Sequence, residues 1–434
     1  MEIKSNYSSG IRFTSDGMDC GLPISIDARN FCSFSCCYCF SENLRKKGIR
    51  RELNIRTLEK FLNRELKDRV SLAMYPLLDA GCPIQLGGLA DAFDQWELQT
   101  GWLKKAIPLF RKYKIPVRIS TKGAKILQRP EYLRLFENDP DMFWFAFSII
   151  CNDDVLISKI DIRAPVTSER LVAMKALTDL GCRASLRLRP FLPGISDQGW
   201  EDLIDRADEA GSRAISFEYL FIDRKLVPYK KLPQKPEPTQ LKKQKAMMNW
   251  IYKLMGNPDF GYEWKEASQR GEILLRGSKL AKMDMTFAIR DKVHSLGWQF
   301  GISDPHWKEL NDNLNCCGIP DDDEVFGKFS REQMAAVLVQ GRRAYECGEI
   351  KQFSFNDWKP SWGDMVLKAD CVNLGNAIAH RVAEELTINE TFRNKWNDLK
   401  DPRGPYVYFE KALFPVGVDK ATGDRIYKYK PFMG

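Results

Sequence analysis

The stretch "MFWFAFSII", Met142 to Ile150, is an apolar, aromatic run of strand length. It is followed by "SERLVAMKALTDLG", Ser168 to Gly181, where Leu171, Met174 and Leu177 recur along one side, Ser168 and an acid open the pattern, and Gly181 stops it. "CRASLRLRPF", Cys182 to Phe191, is strand-like again. A helix between two strands carries the chain back to the same end of the sheet, so the strands run parallel. The alternation extends outward through "GLPISIDARN" (Gly21 to Asn30), "PIQLGG" (Pro83 to Gly88), "IPVRIST" (Ile115 to Thr121) and "RAISFEYLFI" (Arg213 to Ile222). About six β/α units predict an α/β fold, a partial (β/α)6 TIM-type barrel rather than eight closed units, with reactive groups on the loops after the strands.

Beyond Ile222 the character changes. "DRKLVPYKKLPQKPEPTQLKKQK" is rich in Pro and Lys and reads as a boundary or an exposed excursion. Residues 1–222 are expected to form the barrel. Residues 223–305 supply a basic linker, helices such as "KMDMTFAIRDKVHSLG", and a further strand, "WQFGISD", that completes it; 306–434 form an irregular, cysteine-containing extension. At 434 residues with 44% hydrophobic side chains the chain can bury a real core. It has no apolar run of membrane-spanning length, and its start lacks a signal-peptide pattern, so a cytoplasmic protein without membrane attachment is expected. The net charge of +8, from 66 basic and 58 acidic residues, mildly favours an anionic partner.

Twelve cysteines in a reducing compartment are more often metal ligands than disulfides. Four of them lie in "CSFSCCYCF", Cys32 to Phe40. Cys32, Cys36 and Cys39 fit CxxxCxxC, which can ligate three irons of one [4Fe–4S] cube and leave the fourth open. A zinc site would take paired CxxC knuckles or a nearby His pair, and the three histidines, His294, His306 and His380, are far away in sequence. Cys37 falls outside the spacing.

This spacing, after an early strand and with Tyr38 before the last cysteine, resembles the radical S-adenosylmethionine (AdoMet) superfamily. The resemblance implies that AdoMet chelates the open iron and that one electron from the cluster cleaves it to a 5′-deoxyadenosyl radical; it also implies a reducing partner such as flavodoxin or ferredoxin. Further segments resemble the spore photoproduct lyase-like branch, also described as DNA repair photolyase-like: "GLADAFDQWE", "ISTKGAKILQRPEYLRLF", "FAFSI" and "RAPVTSERLVAMKALTDLGCRASLRLRPFLPGISD", together covering residues 18 to 200. By that resemblance Tyr38 lies near the adenine, Gly87 and Gly88 offer backbone to the AdoMet amino group, Lys122 pairs with its carboxylate, and Ser148 bonds the ribose or carboxylate. Arg187 and Arg189 alternate with leucines and share a face; if that face is the lumen, they demand an anion, with Arg189 the better candidate for AdoMet. One feature departs from the branch: its hydrogen-donating cysteine after the second strand is missing from "LGGLADAFDQWE", and Cys82 precedes that strand.

Downstream, Cys316, Cys317, Cys347 and Cys371 form a looser set that suffices for an auxiliary [4Fe–4S] cluster, or is simply buried thiols. The substrate expected is nucleic acid or a nucleotide, from the charge, the lysines between Lys225 and Lys245, and the aromatic-basic tail "YVYFEKALFPVGVDKATGDRIYKYKPF". Against these stand a solvated linker and a packed hairpin turned at "ATGD". The alternatives are a radical maturase acting on peptides, and a non-catalytic iron–sulfur or zinc protein that binds nucleic acid.

Overall fold

The computed structural model describes residues 5–14, 21–39, 49–223, 262–267, 271–276, 279–304, 307, 310–312, 316–319, 323–327, 343–349, 351–358, 366–367, 386–401, 404–408 and 411–430. The lysine-rich segment 225–245, Cys20 and Cys371 lie outside these residues. No helix among the described residues is long and apolar enough to cross a membrane.

Eight strands form one sheet: β1 (Ile11–Phe13), β2 (Ile24–Ile26), β3 (Ile84–Leu86), β4 (Val117–Thr121), β5 (Phe143–Ser148), β6 (Arg183–Phe191), β7 (Ala214–Tyr219) and β8 (Gln299–Ile302). Their spatial order is their chain order. β2 to β8 are parallel, with Val117 opposite Phe143 and Ser148 opposite Arg187, while β1 is antiparallel to β2. β1 and β8 are the sheet's edges, so it is an open, partial barrel of six β/α units followed by a seventh parallel strand.

Side-chain alternation separates the two faces of this sheet. Ile24 and Ile26, Ile84 and Leu86, Val117 and Ile119, Phe143, Phe145 and Phe147, Leu186 and Leu188, Ile215 and Phe217, and Phe300 and Ile302 all enter the main apolar core. The helices cover that face. In helix Trp102–Lys112 the residues Trp102, Leu103, Ala106, Ile107 and Phe110 are buried at helical spacing. Leu171, Met174 and Leu177 are buried in helix Thr167–Asp179, and the chain after it turns at Gly181 with φ +96°, as the sequence pattern anticipates. Burying each such large side chain contributes about 1.5–3 kcal/mol. The intervening residues, Ser25, Gln85, Arg118, Ser120, Ser148, Ser185, Arg187, Arg189, Ser216 and Glu218, lie on the opposite, inner face, where many of them hydrogen-bond one another.

Trp144 also points inward, and there it packs with Leu22, Ala214, Ile319 and Phe326 to plug the N-terminal end of the sheet. Its indole donates to Ser185 Oγ at 2.9 Å.

Two regions differ from the sequence reading. "RAISFEYLFI" is two strands: Ala214–Tyr219 stays in the barrel, and Phe221–Asp223 leaves it to pair with Gly271–Arg276, itself paired with Tyr262–Ala267. The sequence hid this sheet because "YEWKEA" carries charge at alternate and adjacent positions alike. The tail is the packed hairpin, Leu413–Val418 with Arg425–Tyr429. Tyr427 and Tyr429 are buried, Tyr427 lies edge-on to Trp396 at 5.0 Å, and Tyr429 meets Tyr345 at 5.7 Å. These rings pack within the extension rather than offering faces to bases.

Candidate active site at the cysteine loop

The cysteine loop follows β2, where the chain leaves the sheet, and it is gripped from two sides. On one side stands Arg29, buried to 1% exposure. Its guanidinium donates to Glu52 Oε2 at 2.8 Å, Asp94 Oδ1 at 3.0 Å, Glu97 Oε2 at 2.8 Å and Thr100 Oγ1 at 2.8 Å. Despite burial, those carboxylates raise its pKa. Asp94 in turn accepts the Ser33 backbone N–H at 2.7 Å, and Gln95 N–H donates to Ser33 Oγ at 3.3 Å. The loop after β3 is thereby fastened to the cysteine loop through buried, charge-assisted bonds.

On the other side stands Asp161, after β5. Cys36 bridges Asp161 through the backbone, Cys37 N–H donates to the Ile160 carbonyl at 2.9 Å, and Arg163 N–H donates to the Phe34 carbonyl at 3.0 Å. Asp161 and Arg170 are wholly buried and paired at 2.8 Å; Arg170 also donates to the carbonyls of Ser148 at 2.7 Å and Pro165 at 2.8 Å. Burial pushes the Asp161 carboxyl up, but Lys122 and Arg170 outweigh it and hold it below its usual range. Asp161 Oδ1 and the Tyr38 hydroxyl are buried, and the two groups bear on each other electrostatically.

Gly87 lies at the end of β3 with φ +82°, and a Cβ there would stand 2.7 Å from the Ser120 carbonyl oxygen. A Cβ on Gly88 would meet Ser25 Oγ at 2.7 Å. Gly87 requires glycine, for close backbone approach and for its left-handed conformation, whereas Gly88 is crowded by side-chain atoms alone. Asp27 accepts the N–H groups of Leu89 at 2.8 Å and Ala90 at 3.1 Å, which fixes the turn that follows. Asp91 accepts Lys122 N–H at 2.6 Å and the Thr121 hydroxyl at 2.9 Å. Burial pushes Asp91 up to about 6 against these bonds. The Lys122 ammonium lies 5.4 Å from the centre of the Tyr38 ring.

The residues expected from sequence thus fall into two groups. Cys32, Cys36, Cys39, Tyr38 and Lys122 meet electrostatically at the cysteine loop. Ser148 and Arg189 meet Arg187 on the inner face: Arg187 donates to Ser148 Oγ at 3.1 Å, and Arg189 pairs with Glu218. Arg170 links the groups by holding both Asp161 and the Ser148 carbonyl. The inner-face reading of Arg187 and Arg189, left open by the sequence, is the one the structure adopts.

The donor set suits a thiolate-bound cluster in its chemistry. Burial, then Asp91 and Asp94, pushes Cys32 up to about 12; burial, then Asp161, raises Cys36 well above its usual value. Thiols so placed ionise when a cationic metal core replaces water beside them. Cys37 is pushed up to about 11, first by burial, and its Sγ lies 3.8 Å from the Lys159 carbonyl. Among the described residues no three His, Cys, Asp or Glu side chains are grouped as a single metal ion would need. Of the downstream cysteines, Cys316 and Cys317 lie on the barrel's inner face, where their carbonyls accept from Ser216 Oγ at 3.1 Å and Arg118 Nη2 at 3.3 Å. Cys347 is exposed.

Sequence reasoning missed Arg29, Asp94, Asp161 and Arg170. One signal was available: Arg170 interrupts the apolar side of its helix next to Leu171.

No protein-family model matches the sequence, and no curated protein is similar to it. Among solved structures, the chain is similar to a spore photoproduct lyase variant with bound AdoMet and dinucleoside spore photoproduct, at 15% identity over 68% of this chain and 80% of that one, with a TM-score of 0.48. It is also similar to Streptococcus suis SuiB bound to precursor peptide SuiA, at 13% identity over 55% of this chain and 48% of that one, TM-score 0.34. A third similar structure is anSMEcpe with bound AdoMet, at 14% identity over 53% of this chain and 58% of that one, TM-score 0.33.

Proposed function

We propose that the chain is a radical AdoMet enzyme. The observation that carries this reading is the anchoring of three cysteines in CxxxCxxC spacing at the C-terminal edge of an open parallel barrel, with the Asp161–Arg170 pair holding Cys36 and Lys122 beside Tyr38. Cys32, Cys36 and Cys39 would hold a [4Fe–4S] cluster whose open iron leaves room for AdoMet. When bound, these groups supply an electron and a carbon-centred radical able to abstract hydrogen. The chain's own residues bind and orient. Gly87 and Gly88 present bare backbone to the amino group, Lys122 balances a carboxylate, Tyr38 lines the adenine, and Ser148 and Arg189 face the ribose or carboxylate. A reductant such as flavodoxin or ferredoxin would deliver the electron, and a nucleic acid or nucleotide substrate is favoured by the net charge of +8.

The test is anaerobic reconstitution followed by assay for 5′-deoxyadenosine. Substitution of Cys32, Cys36 or Cys39 by Ala is expected to abolish both the cluster's absorption and the product, and Cys37→Ala to spare both. Equal damage from Cys37→Ala would overturn the ligand assignment.

An auxiliary cluster on Cys316, Cys317, Cys347 and Cys371 is the finer proposal. With it, reconstituted protein carries about eight irons per chain, falling to about four in Cys347→Ala; about four in both would leave these residues as plain thiols.

A further inference from the structure

The cysteine loop has an exposed border on each of its two flanks. The flanks meet it at adjacent residues: Gln95 N–H donates to Ser33 Oγ at 3.3 Å, and Arg163 N–H donates to the Phe34 carbonyl at 3.0 Å. On the first flank Ile49 and Leu98 are exposed to 48% and 50%. There the Arg50 guanidinium lies 4.5 Å from the centre of the Trp96 ring and 5.2 Å from that of Phe31, the residue before Cys32. On the second flank Ile162 is exposed to 52%, and Lys159 and Arg163 are exposed as well. The Lys159 carbonyl lies 3.8 Å from the Cys37 sulfur.

Within the described residues no ion pair engages Arg50, Lys159 or Arg163. The acids nearby are already committed: Glu52 and Asp94 to Arg29, Asp161 to Arg170, Asp154 to the Ser168 N–H and hydroxyl, and Asp153 to the N–H groups of Val155 and Leu156. The border is therefore apolar and positive at once, and it adjoins the segment that bears Cys32, Cys36 and Cys37. Protein partners are recognised by such a mixture, aliphatic contact for the centre and charge for steering the encounter. A strand of nucleic acid is held instead by stacking on rings, and the ring pair here, Phe31 with Trp96, already has Arg50 over it. Electron-transfer encounters are small and transient, so a border of this extent suffices for one.

We propose that this border, built on Arg50, Lys159, Ile162 and Arg163, is the docking surface of an acidic protein that carries one electron at low potential. One electron leaves the reduced centre of the carrier and enters the cluster. The inference rests on the function proposed above, which supplies the cluster; the place and charge of the surface come from the exposed residues.

The test compares two reductants of the reconstituted full chain by stopped flow. Reduced flavodoxin, an acidic protein, has to dock; dithionite does not. Lys159→Glu/Arg163→Glu should slow cluster reduction by flavodoxin at least about tenfold at low salt, and the rate of the natural chain should fall as salt rises. Arg50→Glu, on the other flank, should slow it too. Both variants should keep the dithionite-driven formation of 5′-deoxyadenosine, and Lys105→Glu/Arg134→Glu, an equal change of charge on other exposed residues, should leave both rates as they are. Flavodoxin rates unchanged by the reversals at the border, an equal loss in Lys105→Glu/Arg134→Glu, or loss of the dithionite-driven product in both border variants would overturn the surface. Displacement of flavodoxin by a single-stranded oligonucleotide would assign the border to nucleic acid instead. A natural chain in which dithionite reduces no cluster removes the function proposed above and the surface with it, whereas a cluster that dithionite reduces, with flavodoxin indifferent to the reversals, removes the surface alone.

Discussion

Arg29 binds Glu52, Asp94, Glu97 and Thr100 at once, in a place where 1% of its surface is exposed. Replacing it by Leu leaves two buried carboxylates without their cation, a loss of about 3–5 kcal/mol for a buried pair. Urea unfolding should show that loss, and a change below about 1 kcal/mol would mean that water already serves these carboxylates. The pH dependence has a definite sign. Burial raises Asp94 and Glu97 above their usual values even with Arg29 present. A carboxyl raised in the folded state favours folding at low pH and loses that contribution as pH rises through its folded value. The deficit of Arg29→Leu should therefore be smaller at pH 5 than at pH 8, because protonation relieves the stranded charges. Nothing in "IDARN" announces any of this: Arg29's partners Asp94, Glu97 and Thr100 lie 65 to 71 residues onward. The parity of Arg187 and Arg189, in contrast, was legible because a strand's period of two is local.

At the scale of elements, the segment 316–319 shows how the extension seals the barrel. Gly318 has φ +73°, and a Cβ there would lie 2.6 Å from the Ile215 carbonyl oxygen on β7. Gly348 has nearly the same conformation, φ +71°, with nothing within 4 Å of its missing Cβ. Substituting each by Ala separates backbone strain from crowding. Gly348→Ala should cost about 1 kcal/mol, the left-handed penalty alone. Gly318→Ala adds a backbone collision, so it should cost roughly 1–3 kcal/mol more and lift the floor segment, seen as faster proteolysis near residue 318 and a change in Trp144 fluorescence. Equal costs would mean that the floor gives way without consequence. The strands of the barrel were readable from apolar runs and from helix boundaries such as Gly181. The inward turn of Trp144 was not, because "FWFAFS" is apolar at almost every position and hides which parity faces the helices.

For the whole molecule, the question is what the barrel faces. Two of the aromatics in the tail are spent on packing: Tyr427 is fully buried against Trp396, and Tyr429 is buried beside Tyr345. Base stacking by these two rings is removed from the case for nucleic acid, which keeps the net charge, the lysines between Lys225 and Lys245 and the other aromatics of the tail. If a strand of nucleic acid is held, each phosphate neutralised by a lysine contributes about 0.7 to the slope of log affinity against log salt for a single strand. Replacing Lys230, Lys231, Lys242 and Lys243 by Gln should then reduce that slope by up to about 3 with single-stranded DNA or RNA oligonucleotides. If the substrate is instead a mononucleotide, the four lysines are bystanders. Its affinity should then be unmoved by their replacement. Titrating one oligonucleotide and one mononucleotide against the natural chain and the four-lysine variant over a range of salt separates the two: only the oligonucleotide should respond to the replacement. An oligonucleotide that binds with unchanged slope, together with a mononucleotide that does not bind at low salt, would turn the search toward peptides.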